Sequence, residues 1–141
     1  LPLADVVTPN LSELAALSGQ APALDENEML AQGQILLNKG AAAVLLKGGH
    51  WADSDEAADW LLSPDAPAQC FSRPRIHSHH THGTGCTLSS AIAALRPRHT
   101  DLAAAVASAK EYVHGAIAAG QNWQLGGGHG PLAHFWRFYG D

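Results

Sequence analysis

Hydrophobic residues recur along the chain in short runs and in helical spacing, so the pattern predicts alternating strands and helices. Apolar runs over Ala4–Thr8 and Ala41–Lys47 are typical of buried parallel strands. Between them, apolar positions follow helical spacing over Leu11–Leu17 and from Asp25 to Gly40. Strand, helix, helix, strand at these lengths indicates a βαβ unit with two parallel strands.

The remainder of the chain continues this pattern. Asp59–Leu62 and Gln69–Ser72 are expected to be short antiparallel strands at the sheet edge, joined by a turn over Pro64–Pro67. A helix begins near Thr84, and another spans Leu102–Ala119. The last helix carries an apolar stripe made of Ala105, Val106, Ala109, Tyr112, Val113 and Ile117. The pattern predicts a three-layer α/β domain with a largely parallel sheet and helices on both faces.

Several residues mark where the helices begin and end. Asn10 can cap the first helix, and Glu13 stands three residues later, where the carboxylate of a capping box reaches back. Asp25 and Asp101 precede the second and last helices in the same way, and Gly19 is suited to a C-terminal cap. These roles account for the residues locally, whether or not they have a further function.

Composition excludes several classes of protein. The 141 residues are enough for one domain, and no apolar run approaches the ~20 residues that span a membrane. No charged leader opens the chain, which favours a cytoplasmic protein without a membrane partner. Cys70 and Cys86 do not make a disulfide framework. The net charge of −5 and the scattered basic residues argue against a nucleic-acid partner.

The strongest candidate for a functional segment is Gly83-Thr84-Gly85-Cys86, which is followed by a predicted helix rich in Ala, Leu and Ile. The first turn of a helix leaves its N–H groups without intrahelical partners, so a phosphate or developing oxyanion can be held there. Cys86 is then well placed for a stabilised thiolate. The alternative is that the glycines only shape a tight turn and that Cys86 is a small buried apolar residue.

A second candidate group follows the strand that ends at Lys47. Open α/β sheets bind ligands at the carboxyl ends of their strands, and Gly48 and Gly49 would let the backbone approach a phosphate. The next stretch, Trp51–Asp59, is an acidic loop by prediction. Its carboxylates lack regular ligand spacing, so a solvated surface is favoured over a metal site.

Four histidines precede the glycine turn, namely His77, His79, His80 and His82. Pairs of the form His-x-His bind zinc in hydrolases, which leaves a metal-dependent hydrolase as an alternative. Nothing else in the sequence supplies the rest of a zinc site. We therefore expect hydrogen bonds to orient His82 near the glycine turn, with His77 and His79 on the surface.

The C-terminal part of the chain is rich in glycine and aromatic residues. Gln121–Gly130 contains several glycines, but no Lys-Ser/Thr pair follows, so a P-loop is excluded. The aromatic tail consists of Phe135, Trp136, Phe138 and Tyr139. We expect it to pack on the domain or on a partner subunit.

Four blocks together carry a family resemblance: Thr8–Glu13, Leu46–His50, His80–Thr87 and Gly128–Phe135. In this order they resemble the ATP-dependent vitamin kinases of the ribokinase-like superfamily, in particular the hydroxymethylpyrimidine/phosphomethylpyrimidine kinases of thiamin synthesis. The resemblance implies a ribokinase-like fold, incomplete on its N-terminal side. It also implies transfer of the γ-phosphoryl group of ATP, with Mg²⁺, to a hydroxymethylpyrimidine and then to its monophosphate.

The resemblance also implies roles for individual residues. Backbone N–H groups of Gly83, Thr84 and Gly85 would face the transferring phosphoryl group. Cys86 would be the base, at a position where many superfamily members carry aspartate. Glu13 would reach the magnesium ion through water. A further set would contact the nucleotide: Asn10, Lys47, Gly48, Gly49 and Thr84.

Kinases of this family are longer than this chain. The resemblance therefore implies that residues 1–141 are the C-terminal portion of one kinase domain, without the half that carries most of the pyrimidine pocket. We expect this chain alone to be inactive and the full-length protein to be a homodimer. Two alternatives stay open: a pyridoxal kinase, since some share the Gly-Thr-Gly-Cys loop, and a catalytically inactive nucleotide-binding fragment.

Overall fold

The computed structural model describes residues 1–48 and 54–138. Its helices and strands are α1 (Leu11–Ser18), α2 (Glu26–Asn38), β1 (Val44–Lys47), β2 (Glu56–Ser63), β3 (Ala66–Pro74), α3 (Thr84–Leu95) and α4 (Leu102–Gly120). The chain divides into two compact units, Leu1–Arg75 and Ile76–Asp141. The first unit combines helices with a sheet and the second carries α3 and α4, which confirms the predicted α/β class.

Side chains cap the helices of the first unit as the sequence predicts. The Glu13 N–H donates to Asn10 Oδ1 at 2.9 Å, and the Asn10 N–H donates to Glu13 Oε2 at 2.8 Å, which completes a capping box. Asp25 Oδ1 accepts from the Glu28 N–H at 2.8 Å. Gly19 ends α1 with a φ of 79°, in the left-handed region that favours glycine.

The described strands form an antiparallel sheet in the order β1-β2-β3. This confirms the predicted antiparallel excursion, although β2 and β3 are longer than expected and meet at Pro64-Asp65. The acidic loop predicted over Trp51–Asp59 is wrong for Glu56–Asp59, which belong to β2, while residues 51–53 lie outside the described ones. These residues join the strand because their backbone pairs with its neighbours, Glu56 with Pro74 of β3 and Asp59 with Lys47 of β1. The Glu56 carboxylate also accepts a hydrogen bond from the Ser72 hydroxyl of β3.

Parallel pairing in the first unit is confined, among its described residues, to the segment Val7–Asn10 beside β1. Three backbone hydrogen bonds join them: Val7 N–H to Ala43 O (3.0 Å), Leu45 N–H to Val7 O (2.8 Å) and Lys47 N–H to Pro9 O (3.0 Å). The predicted sheet was largely parallel, with a buried strand over Ala4–Thr8. That segment is instead half-buried with Asp5 exposed, because within the described part of this unit only β1 pairs with it.

The core of the first unit lies between α1, α2 and the sheet. Its largest members are Leu14, Met29, Leu36, Leu37, Leu46 and Leu62, and Val44 belongs to it too. Gly33 brings α2 close to the sheet, because a Cβ there would lie 2.8 Å from Leu46 Cδ1 and 3.0 Å from Leu62 Cδ2. Glycine inside a helix costs about 1 kcal/mol relative to alanine, and this close approach explains why α2 carries one.

The second unit is built on the contact between α3 and α4. Asp101 caps α4, as predicted, by accepting the Ala104 N–H at 2.8 Å. The buried apolar side chains of these two helices are Leu88, Ile92, Ala105, Val106, Ala109, Val113 and Ala116, and Leu132 and Ala133 are buried after α4. They include most of the predicted stripe, of which Tyr112 and Ile117 are only half-buried. Within residues 1–48 and 54–138, no helix is both long and apolar enough to cross a membrane.

The aromatic tail is partly packed, with Trp136 against α4. Trp136 Nε1 donates to Tyr112 O at 3.2 Å, and the Tyr112 hydroxyl donates to His134 O at 2.7 Å. Phe135 and Phe138 are exposed, and Tyr139 lies outside the described residues. Among the described aromatic residues of the tail, packing on the domain therefore holds for Trp136, and packing of Phe135 and Phe138 on a partner subunit stays a prediction.

Gly115→Ala is expected to displace Trp136 and to lower the free energy of unfolding by about 1–3 kcal/mol, the range for overpacking. A Cβ at residue 115 would lie 2.2 Å from Trp136 Cζ2, which outweighs the gain of about 1 kcal/mol in helix propensity. Urea denaturation measures the change. In a Trp136→Ala background the same substitution should be stabilising, and destabilisation there would contradict the steric explanation.

Candidate functional site

The glycine turn leads into α3 as predicted. Gly83 precedes the helix with a φ of 81°, a conformation that side-chain-bearing residues rarely adopt. The Thr84 hydroxyl donates to Thr81 O at 2.7 Å, and the Thr87 N–H donates to Gly83 O at 2.8 Å. These bonds fix the turn, and they commit the Thr84 side chain to the backbone.

Two amides at the start of α3 are available to an acceptor. Gly85 and Cys86 occupy the second and third positions of the helix, where an N–H has no intrahelical acceptor. Within residues 1–48 and 54–138, no side chain caps this helix, in contrast to α1, α2 and α4. The positive end of the helix dipole adds to the pull on an anion, so this turn can hold a phosphate group.

The Cys86 side chain is exposed beside the turn, which contradicts the alternative of a buried packing residue. It borders an open cleft of about 490 Å³ within the second unit. The other residues around this cleft are Thr87, Ser90, Ala91, Ala94, Leu95, Tyr112, His134 and Arg137. Cys70, on β3 of the first unit, is exposed as well.

In the first unit, the structure brings together Asn10, Glu13 and Lys47, although the last is far from the others in sequence. Parallel pairing of Asn10 with Lys47 places the end of β1 next to the start of α1. Lys47 Nζ then lies 3.7 Å from Glu13 Oε2, with side chains that are 17% and 55% exposed, respectively. An ammonium and a carboxylate therefore meet at the carboxyl end of β1.

The two glycines after Lys47 differ in what the structure shows. Gly48 is buried, and its N–H donates to Ala58 O at 3.1 Å, so this amide is already engaged within the sheet. Gly49 lies outside the described residues. Among the predicted nucleotide contacts in the first unit, the Lys47 ammonium is therefore the clearest donor.

A magnesium ion would find a partial site at Glu13. Its Oε2 accepts the capping hydrogen bond and lies 3.7 Å from Lys47 Nζ, and the side chain is 55% exposed. In the described part of the chain, no three His, Cys, Asp or Glu side chains form a group that could hold a metal ion. One exposed carboxylate fits contact with a hydrated cation through retained water, and not direct chelation.

The histidines before the turn are spread between the surface and the interior. His77, His79 and His82 are exposed, which confirms the expectation for the first two. His82 is held through its backbone, whose N–H donates to Gly130 O at 3.2 Å. His80, whose burial the sequence did not predict, packs against the segment that ends at Gly130. Its signal was weak, because the residues that it contacts lie some forty positions away.

Comparison with known proteins agrees with the order of the four sequence blocks. A family model described as phosphomethylpyrimidine kinase matches residues 1–133. The hydroxymethylpyrimidine/phosphomethylpyrimidine kinase of Escherichia coli K12 is 49% identical over 135 residues, which are 96% of this chain and 50% of that protein. The enzyme of the same description from Rhizobium meliloti is 46% identical over 141 residues, 100% of this chain and 52% of the relative.

Solved structures extend the comparison to the fold. Bacillus subtilis pyridoxal kinase, in an ADP complex, superimposes with a TM-score of 0.88 at 30% identity, over 99% of this chain and 51% of that one. Staphylococcus aureus pyridoxal kinase with AMP-PCP and pyridoxal gives a TM-score of 0.88 at 32% identity, over 98% and 50%.

The chain thus spans about half the length of the curated relatives that it matches. The family match itself runs from the first residue through the Asn10 and Glu13 cap, Lys47, the glycine turn and Cys86 almost to the aromatic tail. With so much of its sequence matched, and both groups of candidate residues inside the match, this chain belongs to the phosphomethylpyrimidine kinase family.

Proposed function

We propose that this chain supplies the phosphate-binding and base groups of a kinase that phosphorylates hydroxymethylpyrimidine and then its monophosphate, with ATP as donor. The observation that carries the proposal is the N-terminus of α3, which follows Gly83, has no side-chain cap from the described part of the chain and presents Cys86 in its first turn. Relatives at 46–49% identity are named for this activity. The helix start offers what phosphoryl transfer requires, namely positioning and neutralisation of charge.

The turn would hold the transferring phosphoryl group through its backbone. N–H groups at Gly83, Thr84 and Gly85 are the donors expected from the family, and the structure favours Gly85 and Cys86 because the Thr84 N–H donates to Thr81 O at 3.3 Å. Backbone donors fixed at a helix start need no reorganisation when negative charge builds up on the phosphoryl oxygens.

Cys86 would act as the general base. Its thiolate would take the proton of the attacking hydroxyl while the new O–P bond forms and the bond from the γ-phosphorus to the leaving ADP oxygen breaks. Exposure of the Cys86 side chain leaves it accessible to a substrate.

The first unit would hold the nucleotide. Lys47 would pair its ammonium with phosphate oxygens, and Asn10 and Gly48, with Gly49, would line the nucleotide site. Mg²⁺, when bound, would neutralise phosphate charge. Glu13 would face it through water, while its capping bond to Asn10 fixes the direction of the carboxylate.

The family also suggests the architecture and partners of the whole kinase. Residues 1–141 would form the C-terminal portion of one three-layer ribokinase-like domain with a largely parallel central sheet, and the full-length enzyme would be a homodimer that takes a small pyrimidine. Support comes from the family match and from the solved structures with TM-scores of 0.88.

Pyridoxal phosphorylation is a second candidate, favoured by the pyridoxal kinases among the solved structures. Their identity of 30–32% is below the 46–49% of the pyrimidine kinases. A full-length kinase that contains this chain should therefore have a higher kcat/KM for hydroxymethylpyrimidine than for pyridoxal, and the reverse ratio would replace the first proposal with the second.

Lys47→Ala is expected to weaken binding of AMP-PCP with Mg²⁺ by about 10- to 100-fold, as expected for one charge-assisted hydrogen bond of 1.5–3 kcal/mol. The fold should change little, because the partner carboxylate of Glu13 is 55% exposed and water screens the ion pair. Isothermal titration calorimetry measures the affinity. In a separate titration of the wild type with the same nucleotide, followed by NMR, the amide resonances of Gly85 and Cys86 should shift.

Arg73→Ala is the matched control, since it removes one positive charge from exposed β3 in the same unit. Equal weakening by both variants would mean that only net charge matters. Nucleotide binding that leaves the Gly85 and Cys86 amides unshifted would overturn the proposed phosphate site.

A further inference from the structure

His80 is a buried polar side chain whose ring is enclosed by one distant segment. It is 7% exposed, and its Nε2 forms a short hydrogen bond with the backbone carbonyl of Trp123. A carbonyl oxygen only accepts, so Nε2 carries the ring hydrogen. The other ring nitrogen, Nδ1, is buried and has no hydrogen-bond partner among the described residues. A Cβ added at Gly130 would lie 1.8 Å from Nδ1, so the ring is wedged between Trp123 O and the Gly130 backbone.

The segment held in this way has little packing of its own. Trp123–Gly130 includes Gly126, Gly127 and Gly128, all exposed, with no heavy atom within 4 Å of a Cβ placed on any of them. Glycine-rich backbone loses much conformational entropy when it is fixed. The position of the segment therefore depends on contacts near its two ends, and His80 makes one near each end.

The same contacts lead directly to the start of α3. Gly130 O accepts the His82 N–H at 3.2 Å, and His82 pairs with Pro131 as an isolated parallel bridge. His82 is followed by Gly83, whose left-handed conformation begins the helix. Displacement of Gly130 would thus remove the backbone partner of the residue next to the glycine turn.

We propose that His80 is a positioning residue that clamps Trp123–Gly130 against the chain before α3 and thereby fixes the Gly83–Cys86 turn. The clamp has two parts: the hydrogen bond to Trp123 O, and the fit of the ring against Gly130, which only glycine allows. The consequence for phosphate binding rests on the function proposed above. The clamp itself does not, because it concerns contacts within the second unit.

The experiment compares four variants of this chain by amide hydrogen exchange. His80→Leu removes the donor to Trp123 O, and Gly130→Ala displaces the ring. Each should speed exchange of the His82 N–H at least tenfold, the effect of losing about 1.4 kcal/mol of local protection. His80→Gln keeps an N–H at similar reach and should restore exchange to within about threefold of the wild type. Gly127→Ala is the matched control and should change nothing.

Titration with inorganic phosphate, followed at the Gly85 and Cys86 amides, gives the functional readout. His80→Leu and Gly130→Ala should weaken phosphate binding several-fold, while the Gln variant and the control should not. If both disruptive variants exchange like Gly127→Ala, the clamp is wrong. If His80→Leu does not fold, fast exchange at His82 in His80→Gln overturns the proposal and slow exchange supports it.

Failure of the clamp and failure of the proposed function give different results. If the wild type does not bind phosphate at the turn but the exchange rates of the variants are as expected, the clamp by His80 is supported and the phosphate site is wrong. If phosphate binds and the exchange rates of all four variants match the wild type, the phosphate site stands and His80 is only a packing residue.

Discussion

Replacing Cys86 by alanine in a full-length kinase that contains this chain should lower turnover by about 10²- to 10⁴-fold, the range that general-base catalysis supplies. ATP binding should be kept, because the donors at the turn are backbone groups that the substitution leaves in place. The exposed position of the thiol means that its loss leaves no cavity in a packed core. Steady-state kinetics with hydroxymethylpyrimidine, alongside ATP affinity, measure both effects.

Two further variants sharpen this test. Cys86→Asp supplies a carboxylate base and should retain more activity than Cys86→Ala. Cys70→Ala is the matched control, since Cys70 is the other cysteine of the chain, is also exposed and lies on β3. Near-normal turnover in Cys86→Ala would remove the base role.

Activity of this chain alone should be undetectable, because we expect most of the pyrimidine pocket to come from sequence outside it. Turnover by the chain alone would contradict that expectation. A full-length protein that binds ATP but turns over no substrate would instead favour the inactive nucleotide-binding alternative.

Much of the local structure could be predicted because its causes are local. The capping box of Asn10 and Glu13 spans four consecutive residues, and the sequence contains both partners of each hydrogen bond. The same holds for Asp25, for Asp101 and for the glycine turn before α3. The residue at which a helix begins can therefore be predicted wherever the donor and the acceptor of the capping hydrogen bond are close in sequence.

Pairing between strands was less predictable, because apolar runs indicate burial but not direction. The run ending at Lys47 is buried as expected, yet its described strand neighbour β2 is antiparallel to it. The parallel contact at Val7–Asn10 is real but short. Two strands that follow one another at a sheet edge can pair directly through a turn, and this hairpin supplies most of the described sheet.

The candidate site shows the same division. Cys86 and the glycine turn are contiguous and could be found from sequence, whereas the approach of Lys47 to Glu13 depends on pairing between segments. The structural roles of individual glycines were the hardest to predict from the sequence. Gly33, Gly115 and Gly130 each face a side chain from another part of the chain, so their necessity is visible only in the fold.

Truncation of Leu46 tests whether the contact between α2 and β1 forms the core of the first unit. Leu46→Ala should lower the free energy of unfolding by about 2–5 kcal/mol, the range for truncating a fully buried leucine. Leu46 is 0% exposed and belongs to the core cluster beneath α2. The cavity should close poorly, because Gly33 offers no side chain that could move into it.

Urea denaturation of this chain, followed by circular dichroism, gives the change in stability, and Leu24→Ala is the matched control because Leu24 is 82% exposed. The control should shift the free energy of unfolding by no more than about 0.5 kcal/mol, as is usual for surface substitutions. Leu46→Met keeps the volume and should cost less than about 1.5 kcal/mol. If Leu46→Ala cost no more than Leu24→Ala, the close contact of α2 with β1 would not be the core of this unit. If Leu46→Met lowered the free energy of unfolding as much as Leu46→Ala does, side-chain shape, and not buried volume, would hold α2 on the sheet.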